Sequence, residues 1–240
     1  MRQTMTGVIR MNIAIHQPDY IPYLGYFYKI SQADIFVFLD DVQFSNDNMH
    51  HWNKIKTPQG ECRLKVPVHY EFGNLINQVK SKDELKWNHK HLKTIEMNYT
   101  RAKYFSEYFP AFRELLLSNY ANLAEMNITI NHFICDEFGF KPKFVRSSDL
   151  NTHTIREQRV IDICKILGGE KYISGNGARV YQVEEHFTSQ GVELYYTDYQ
   201  PLEYPQLWKT FLPNLSILDF IFNCGFDWNL IIAAQKGCQR

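Results

Sequence analysis

The sequence predicts an α/β fold in which a three-layer, mostly parallel sheet carries a helical insert. Short apolar β-runs alternate with helical segments in the first forty residues, and the same alternation resumes after residue 142. The region between them has apolar residues at helical spacing. A chain of 240 residues, 45% of them hydrophobic, is long enough to bury a full core without disulfides or metals.

The first elements form a strand–helix–strand unit. Residues 12–15 are an apolar β-run, and Pro18 and Pro22 exclude a helix or a central strand after it. The backbone must therefore loop before a helix begins near Leu24. Residues 35–39 are again apolar and favour a strand. Such a unit predicts parallel pairing of its two strands.

The later elements follow in order along the chain. A turn at 57–60 leads into an alternating strand and predicts an edge hairpin, and Gly139 is a stop signal for a helix. We predict helices at 87–98, 104–120, 123–138 and 157–167, and strands at 61–68, 143–146, 171–174 and 192–196. We expect one α/β domain over 11–240, with 81–140 as a helical subdomain and 1–10 as a leader or extension.

Composition restricts the classes of function. Lys plus Arg number 26 and Asp plus Glu number 26, so the chain lacks the basic excess that general nucleic-acid binding favours. The five cysteines are scattered and indicate reduced thiols in a cytoplasmic protein. No apolar run reaches the length of about 20 residues that a membrane span needs. The oligomeric state does not follow from the sequence.

Polar residues follow the first two strands of the predicted sheet. Ligands of open α/β sheets bind outside the carboxyl ends of the strands, so these positions are candidates for chemistry. His16 is the candidate general acid or base, or a hydrogen-bond donor to phosphate. Of the adjacent acids Asp40 and Asp41, at most one faces a pocket, and we choose Asp40 as the second catalytic residue. Gln43 is a candidate for orienting a substrate amine.

A glycine-containing turn follows the strand at 171–174. Its glycines allow backbone amides to approach a ligand, while Ser174 offers a hydroxyl and Arg179 a fixed cation. We predict that Ser174, Gly175 and Arg179 bind phosphate, although a structural turn with a surface arginine has equal weight. Lys56 shares a strand face with Lys54, which suits an anionic substrate or a solvated edge equally. No metal site is predicted.

Six motifs of the chain resemble the WbqC-like protein family. They occur in the order that the family has and extend over essentially everything after Met11: HQPDYIP at 16–22 with LGxFxK at 24–29, ADxFVxLDDVQF at 33–44, NKIK at 53–56, YISGxGARxY at 172–181, LSILD at 215–219 and NxG at 223–225. The resemblance implies a role in bacterial O-antigen or polysaccharide synthesis, and a suggested glycine transfer to an amino sugar.

The resemblance also adds candidate site residues. Those within its motifs that we expect to bind substrate or phosphate are Gln17, Tyr20, Gly25, Lys29 and Asn53. One departure is the sequence HHW before Asn53, where the family is expected to have an arginine. A more distant similarity, carried by Ile173, Ser174 and Arg179, is to the nucleotidyltransferase and pantoate-ligase superfamily; its pair of loop histidines is absent here.

Three functional hypotheses remain open. The leading one is an acyl or aminoacyl transferase that forms an amide on an amino sugar, with a small-molecule or nucleotide-linked sugar as substrate and an aminoacyl-tRNA donor not excluded. The second is a nucleotidyltransferase-like ligase that activates a carboxylate, with ATP as the candidate cofactor. The third is a non-catalytic scaffold of a polysaccharide assembly complex, whose partner would bind an aromatic surface comprising Tyr195, Tyr196, Tyr199, Tyr204 and Trp208.

Overall fold

The structure is a computed structural model that describes residues 11–238. The predicted leader at 1–10 lies outside the described residues. Along the chain the strands are β1 (Asn12–His16), β2 (Ile35–Phe38), β3 (Trp52–Thr57), β4 (Gly60–Lys65), β5 (Val68–His69), β6 (Lys80–Ser81), β7 (Lys143–Arg146), β8 (Lys171–Ser174) and β9 (Glu193–Tyr196). The helices are α1 (Leu24–Ile30), α2 (Trp87–Tyr99), α3 (Phe105–Leu117), α4 (Leu123–Glu137), α5 (Arg156–Ile166), α6 (Glu184–Thr188), α7 (Ile217–Cys224) and α8 (Trp228–Cys238).

Five parallel strands form the central sheet in the order β7-β2-β1-β8-β9. β1 is the middle strand, where Ala14 lies between Phe36 of β2 and Ile173 of β8. β1 and its neighbour β2 are short and mostly apolar, and most of their residues are buried, as expected for parallel strands that are covered on both faces. The predicted α/β class with a parallel sheet is confirmed.

Alternate side chains of β1 pack on opposite faces of the sheet. Ala14 belongs to the larger core cluster, which also contains Phe27 of α1 and residues of α4 and α7. Ile13 and Ile15 belong to a second cluster with residues of α5 and Phe187 of α6. Because successive side chains of a strand point to opposite faces, one strand contributes to both cores. This arrangement gives the three layers.

The chain changes direction across the sheet between β1 and β8. The connection through α1 leads from β1 to β2 on one side, and the connection through α6 leads from β8 to β9 on the other. Crossovers between parallel strands are right-handed in nearly all proteins, so opposite directions place their helices on opposite faces. A crevice therefore opens between the carboxyl ends of β1 and β8, where α/β proteins bind ligands.

Helices α2, α3 and α4 lie between β6 and β7 and match the helical segments predicted from apolar spacing. Gly139 has a φ of 76° just after α4, which is the left-handed conformation that favours glycine at the end of a helix. The predicted hairpin is also present as β3 and β4, but these strands pair as a separate two-stranded sheet. The sequence interpretation missed α7, although all but one of its residues are buried.

Within residues 11–238, no single helix is both long and apolar enough to cross a membrane. Only α7 and α8 taken together pass by length and composition, and the pair is bent by 109°.

Candidate active site

A cleft of about 1310 Å³ opens at the carboxyl ends of β1 and β8. Its walls come from these two strand ends, from α1, from α5, and from the segments that follow β8 and β9. We call this cavity the switch-point cleft. It lies where the fold predicts a ligand, and its volume exceeds the range of about 300–1,000 Å³ that is common for small-molecule pockets. The cleft therefore has room for a large ligand or for two substrates.

His16 ends β1 and lines the switch-point cleft. Its Nδ1 lies 3.0 Å from the carbonyl oxygen of Gln17, which can only accept a hydrogen bond. Nδ1 therefore carries the proton and Nε2 keeps its lone pair. Burial, with a smaller contribution from the charge of Lys29, lowers the pKa of His16 to about 4. The imidazole is neutral near pH 7 and can accept a proton at Nε2.

Lys29 enters the cleft from α1, and its side chain is almost completely buried. Its Nζ donates to the carbonyl oxygen of Ile15 at 3.0 Å. Burial lowers the pKa of Lys29 to about 7, and the opposing charge of Asp19 offsets only part of this effect. A basic group and a neutral imidazole therefore share one cleft.

Two tyrosine rings approach Gly25 closely at the wall of the cleft. A Cβ built on Gly25 would overlap the ring of Tyr23 and would lie 2.8 Å from Cδ1 of Tyr199. Only glycine allows both rings to lie so near the backbone of α1. The two rings meet edge to face with centroids 6.3 Å apart. Such aromatic surfaces are suited to stacking against a sugar or a base.

Ser174 and Gly175 line the opposite side, at the end of β8. The Ser174 hydroxyl donates to Oε1 of Gln182 at 2.8 Å, and the space around the Cα of Gly175 is open. Gln17 also lines the cleft, where its carbonyl oxygen accepts from the hydroxyl of Tyr26. The structure thus brings together six of the predicted site residues: His16, Gln17, Gly25, Lys29, Ser174 and Gly175.

Asp40 does not line the cleft, so its position does not fit the predicted catalytic role. Its carboxylate is buried and accepts from the amide of Ser148 at 3.0 Å, the hydroxyl of Ser148 at 2.8 Å and the hydroxyl of Ser147 at 3.2 Å. These donors belong to the 3₁₀ turn Ser147–Asp149 after β7. The carboxylate therefore joins two neighbouring strand ends instead of facing a substrate.

Tyr20 and Asn53 also lie away from the cleft, in the core. The hydroxyl of Tyr20 pairs with Nδ1 of His91 at 2.9 Å. The side-chain amide of Asn53 donates to the carbonyl oxygens of Tyr20 and Ile21 at 3.1 and 2.9 Å. Ile21 has a φ of 37°, which is unusual for a β-branched residue. Asn53 thus holds the loop that follows β1 in its conformation.

The three remaining predicted residues lie elsewhere too. Lys56 is buried and donates to Oε1 of Gln206 at 2.9 Å, and Gln43 is exposed. Arg179 is about half exposed, pairs with Asp198 at 2.7 Å and lies over the ring of Tyr196. Of the two alternatives for Arg179, a surface arginine beside a structural turn therefore fits its position better than a phosphate-binding residue does.

The aromatic residues proposed as a partner surface do not form one exposed patch. All five are partly buried, and Tyr204 packs edge to face against Phe220 with centroids 5.2 Å apart. Tyr199 instead lines the cleft. This distribution removes the main structural support for a scaffold that binds through those residues.

The sequence interpretation missed several residues of the cleft. Tyr181 is a specified residue of the motif at 172–181, which was an available signal, whereas Tyr26 is at an unspecified position of the motif at 24–29. The first turns of α5, including Gln158, and Gln182 had no such signal, because their contribution depends on how α5 packs beside β8. Within the part of the chain that the structure describes, no group of three or more His, Cys, Asp or Glu residues is placed to hold a metal ion.

Comparisons with known proteins point to the same family that the sequence motifs resemble. A model of the WbqC-like protein family matches residues 17–229. The uncharacterized protein Rv1507c of Mycobacterium tuberculosis (strain ATCC 25618 / H37Rv) is 31% identical over 219 residues, which cover 90% of this chain and 94% of that protein. No solved structure matches the chain.

Proposed function

The chain belongs to the WbqC-like protein family, and we propose that it is an acyl or aminoacyl transferase. In this proposal it forms an amide on an amino sugar of a surface polysaccharide precursor, such as an O-antigen sugar carried on a nucleotide. The observation that most supports this proposal is that His16 lines the switch-point cleft with the lone pair of Nε2 available.

Formation of an amide from an amine needs a proton acceptor. The sugar nitrogen attacks the acyl carbon, the new carbon–nitrogen bond forms, and the bond to the leaving group of the donor breaks with its electron pair. The nitrogen loses a proton in this step, and Nε2 of His16 accepts it. Because burial shifts the protonation equilibrium of His16 toward the neutral imidazole, His16 is able to accept a proton over the physiological pH range.

The shape and lining of the cleft support a reaction between two substrates. Its volume of about 1310 Å³ leaves room for a sugar nucleotide beside an acyl donor. Tyr23 and Tyr199 offer ring faces to the sugar or the base, and Ser174 with Gly175 offers polar groups on the opposite wall. Either glycyl-tRNA or glycine activated with ATP is a candidate acyl donor.

A His16→Gln variant tests the proposal. The wild-type protein, incubated with nucleotide-linked amino sugars and with either glycine and ATP or glycyl-tRNA, should give a product with the mass of a glycyl adduct. The glutamine side chain cannot accept the proton, so the rate should fall by about 100-fold to 10,000-fold. Mass spectrometry of the product and initial rates are the measurements.

His89→Gln is the matched control, because His89 is exposed on α2, away from the cleft. It should retain the wild-type rate. Absence of any adduct across several amino sugars and both donor systems would reject the proposed transfer. An unchanged rate in a correctly folded His16→Gln protein would reject the role of His16.

An ATP-dependent ligase that activates a carboxylate receives less support from the site. The pattern behind that alternative needs a cation after the Ser174 turn, but Arg179 is engaged with Asp198 at 2.7 Å and does not line the cleft.

A further inference from the structure

Lys29 has an unusual environment for a lysine. Only 4% of its surface is exposed, and among the residues that the structure describes Nζ makes one hydrogen bond, to the carbonyl oxygen of Ile15. A protonated lysine amine has three N–H donors, so further donors are available toward the switch-point cleft that it lines. Among residues 11–238, no carboxylate oxygen lies within 4.0 Å of Nζ.

A buried ammonium without a contacting counterion is costly, because it loses hydration without gaining a charge partner. The protein lessens this cost by favouring the neutral amine, and burial lowers the pKa of Lys29 to about 7. A negatively charged group brought into the cleft would supply the missing partner and would favour the ammonium again.

We infer that Lys29 binds an oxyanion group of the ligand, a phosphate or a carboxylate, and takes up a proton as that group binds. The inference rests on the proposed location of the site in the switch-point cleft, but it does not require acyl transfer. It assigns a negative charge to the part of the ligand that lies deepest, beside the end of β1.

Several other titratable groups lie around Lys29. His16 of β1 has a pKa of about 4, and burial raises the pKa of Tyr23, Tyr26 and Tyr199 above the usual tyrosine range. Asp19, in the loop after β1, is the nearby acid.

His186 of α6 also lines the cleft and pairs with Glu157 of α5 at 2.8 Å. Because His186 lines the same cleft, its effect on ligand binding must be separated from that of Lys29 by substitution.

The sign of the pH dependence follows from the charge of the bound form. The free amine is mostly protonated below about pH 7, so an oxyanion binds there without a change in protonation. Above this pH the amine is mostly neutral and must first take up a proton. The affinity should therefore fall as pH rises above about 7, by about tenfold per pH unit, until the pKa of the complex is reached.

Calorimetry with inorganic pyrophosphate and with succinate tests the inference. Titrations at pH 8 in two buffers of different ionisation enthalpy report the number of protons exchanged. We expect at least one of the two probes to bind with uptake of about one proton, and the successful probe distinguishes phosphate from carboxylate. In Lys29→Met the uptake should disappear and the affinity below pH 7 should fall at least about tenfold.

Lys93→Met is the matched control, because Lys93 is exposed on α2. It should bind with the wild-type proton uptake, and so should His186→Gln. Binding of neither probe, binding by Lys29→Met with unchanged uptake, or loss of uptake in His186→Gln alone would overturn the inference.

Direct titration of the amine gives a readout that needs no ligand. In protein labelled with ¹³C at lysine Cε, the signal that is missing from Lys29→Met belongs to Lys29. It should titrate near pH 7 in the free protein and at higher pH with pyrophosphate or succinate bound. A free pKa in the ordinary lysine range would overturn the inference. Failure of glycyl transfer would leave these binding results unaffected, so the two proposals fail separately.

Discussion

Burial determines the charge of the residues at the base of the cleft. His16 and Lys29 both lose hydration there, and the pKa of each falls below its ordinary value. His16 becomes a weak base that is neutral at physiological pH, whereas Lys29 lies near the middle of its titration. Lys29 on a solvated loop would lack this property, so the site depends on the helix and strand that bury its amine.

Lys29→Met should stabilise the ligand-free protein. The unfolded chain binds a proton at Lys29 up to about pH 10.4, whereas the folded chain releases it near pH 7, so folding is disfavoured between these values and below. The gain in the free energy of unfolding should be about 3–5 kcal/mol below pH 7. It should shrink by about 1.4 kcal/mol per pH unit as pH rises from about 7 to 10.

Urea unfolding at several pH values measures this gain, with Lys93→Met as the exposed counterpart. A gain that does not depend on pH would indicate better packing of methionine instead of removal of a buried charge.

The carboxyl ends of neighbouring strands are arranged in two ways in this sheet. At β1 and β8 they leave a cleft, whereas at β2 and β7 the carboxylate of Asp40 closes the gap by bonding to Ser147 and Ser148. The sequence located the strands and the polar residues after them, because apolar runs and prolines act locally. It could not separate the two outcomes, because the partners of Asp40 are more than one hundred residues away along the chain.

Asp40→Ala should therefore reduce stability. The substitution removes a buried acceptor and leaves the hydroxyl and amide of Ser148 without their partner. Hydrogen bonds to a charged group are stronger than neutral ones, so we expect a loss of about 2–4 kcal/mol in the free energy of unfolding. Chemical denaturation of this variant is compared with Asp47→Ala, which removes an exposed acid from the same region. Equal stability of the two variants would show that the Asp40 contacts contribute nothing net.

At the scale of the whole molecule, one buried network connects parts of the chain that are distant in sequence. The hydroxyl of Tyr99, at the end of α2, accepts from the amide of Lys56 in β3 at 2.8 Å and donates to Asp219 of α7 at 2.6 Å. Burial raises the pKa of Asp219, and the bond from Tyr99 acts in the opposite direction. The strand face that Lys56 shares with Lys54 suggested an anionic ligand or a solvated edge, because the packing that brings Gln206 to the Lys56 side chain is not visible in the sequence.

Tyr99→Phe should destabilise the whole fold without creating a large cavity. The amide of Lys56 and a carboxylate oxygen of Asp219 would both lose a buried partner, at a cost of about 2–5 kcal/mol. Thermal and urea unfolding measure the loss. Tyr70→Phe removes a hydroxyl from a half-exposed ring and should cost little by comparison. A Tyr99→Phe protein as stable as Tyr70→Phe would mean that water or other groups replace the lost bonds.

The central position of β1 has a consequence for synthesis of the protein. Asn12 pairs with Lys171, a residue made 159 positions later. At about 5–20 residues per second, one edge of the middle strand waits roughly 8–30 s for its partner. During that interval the nascent chain presents the unpaired backbone of β1 to chaperones and to other chains. The cleft is completed later still, since Tyr199 of its wall lies beyond both β8 and β9 along the chain.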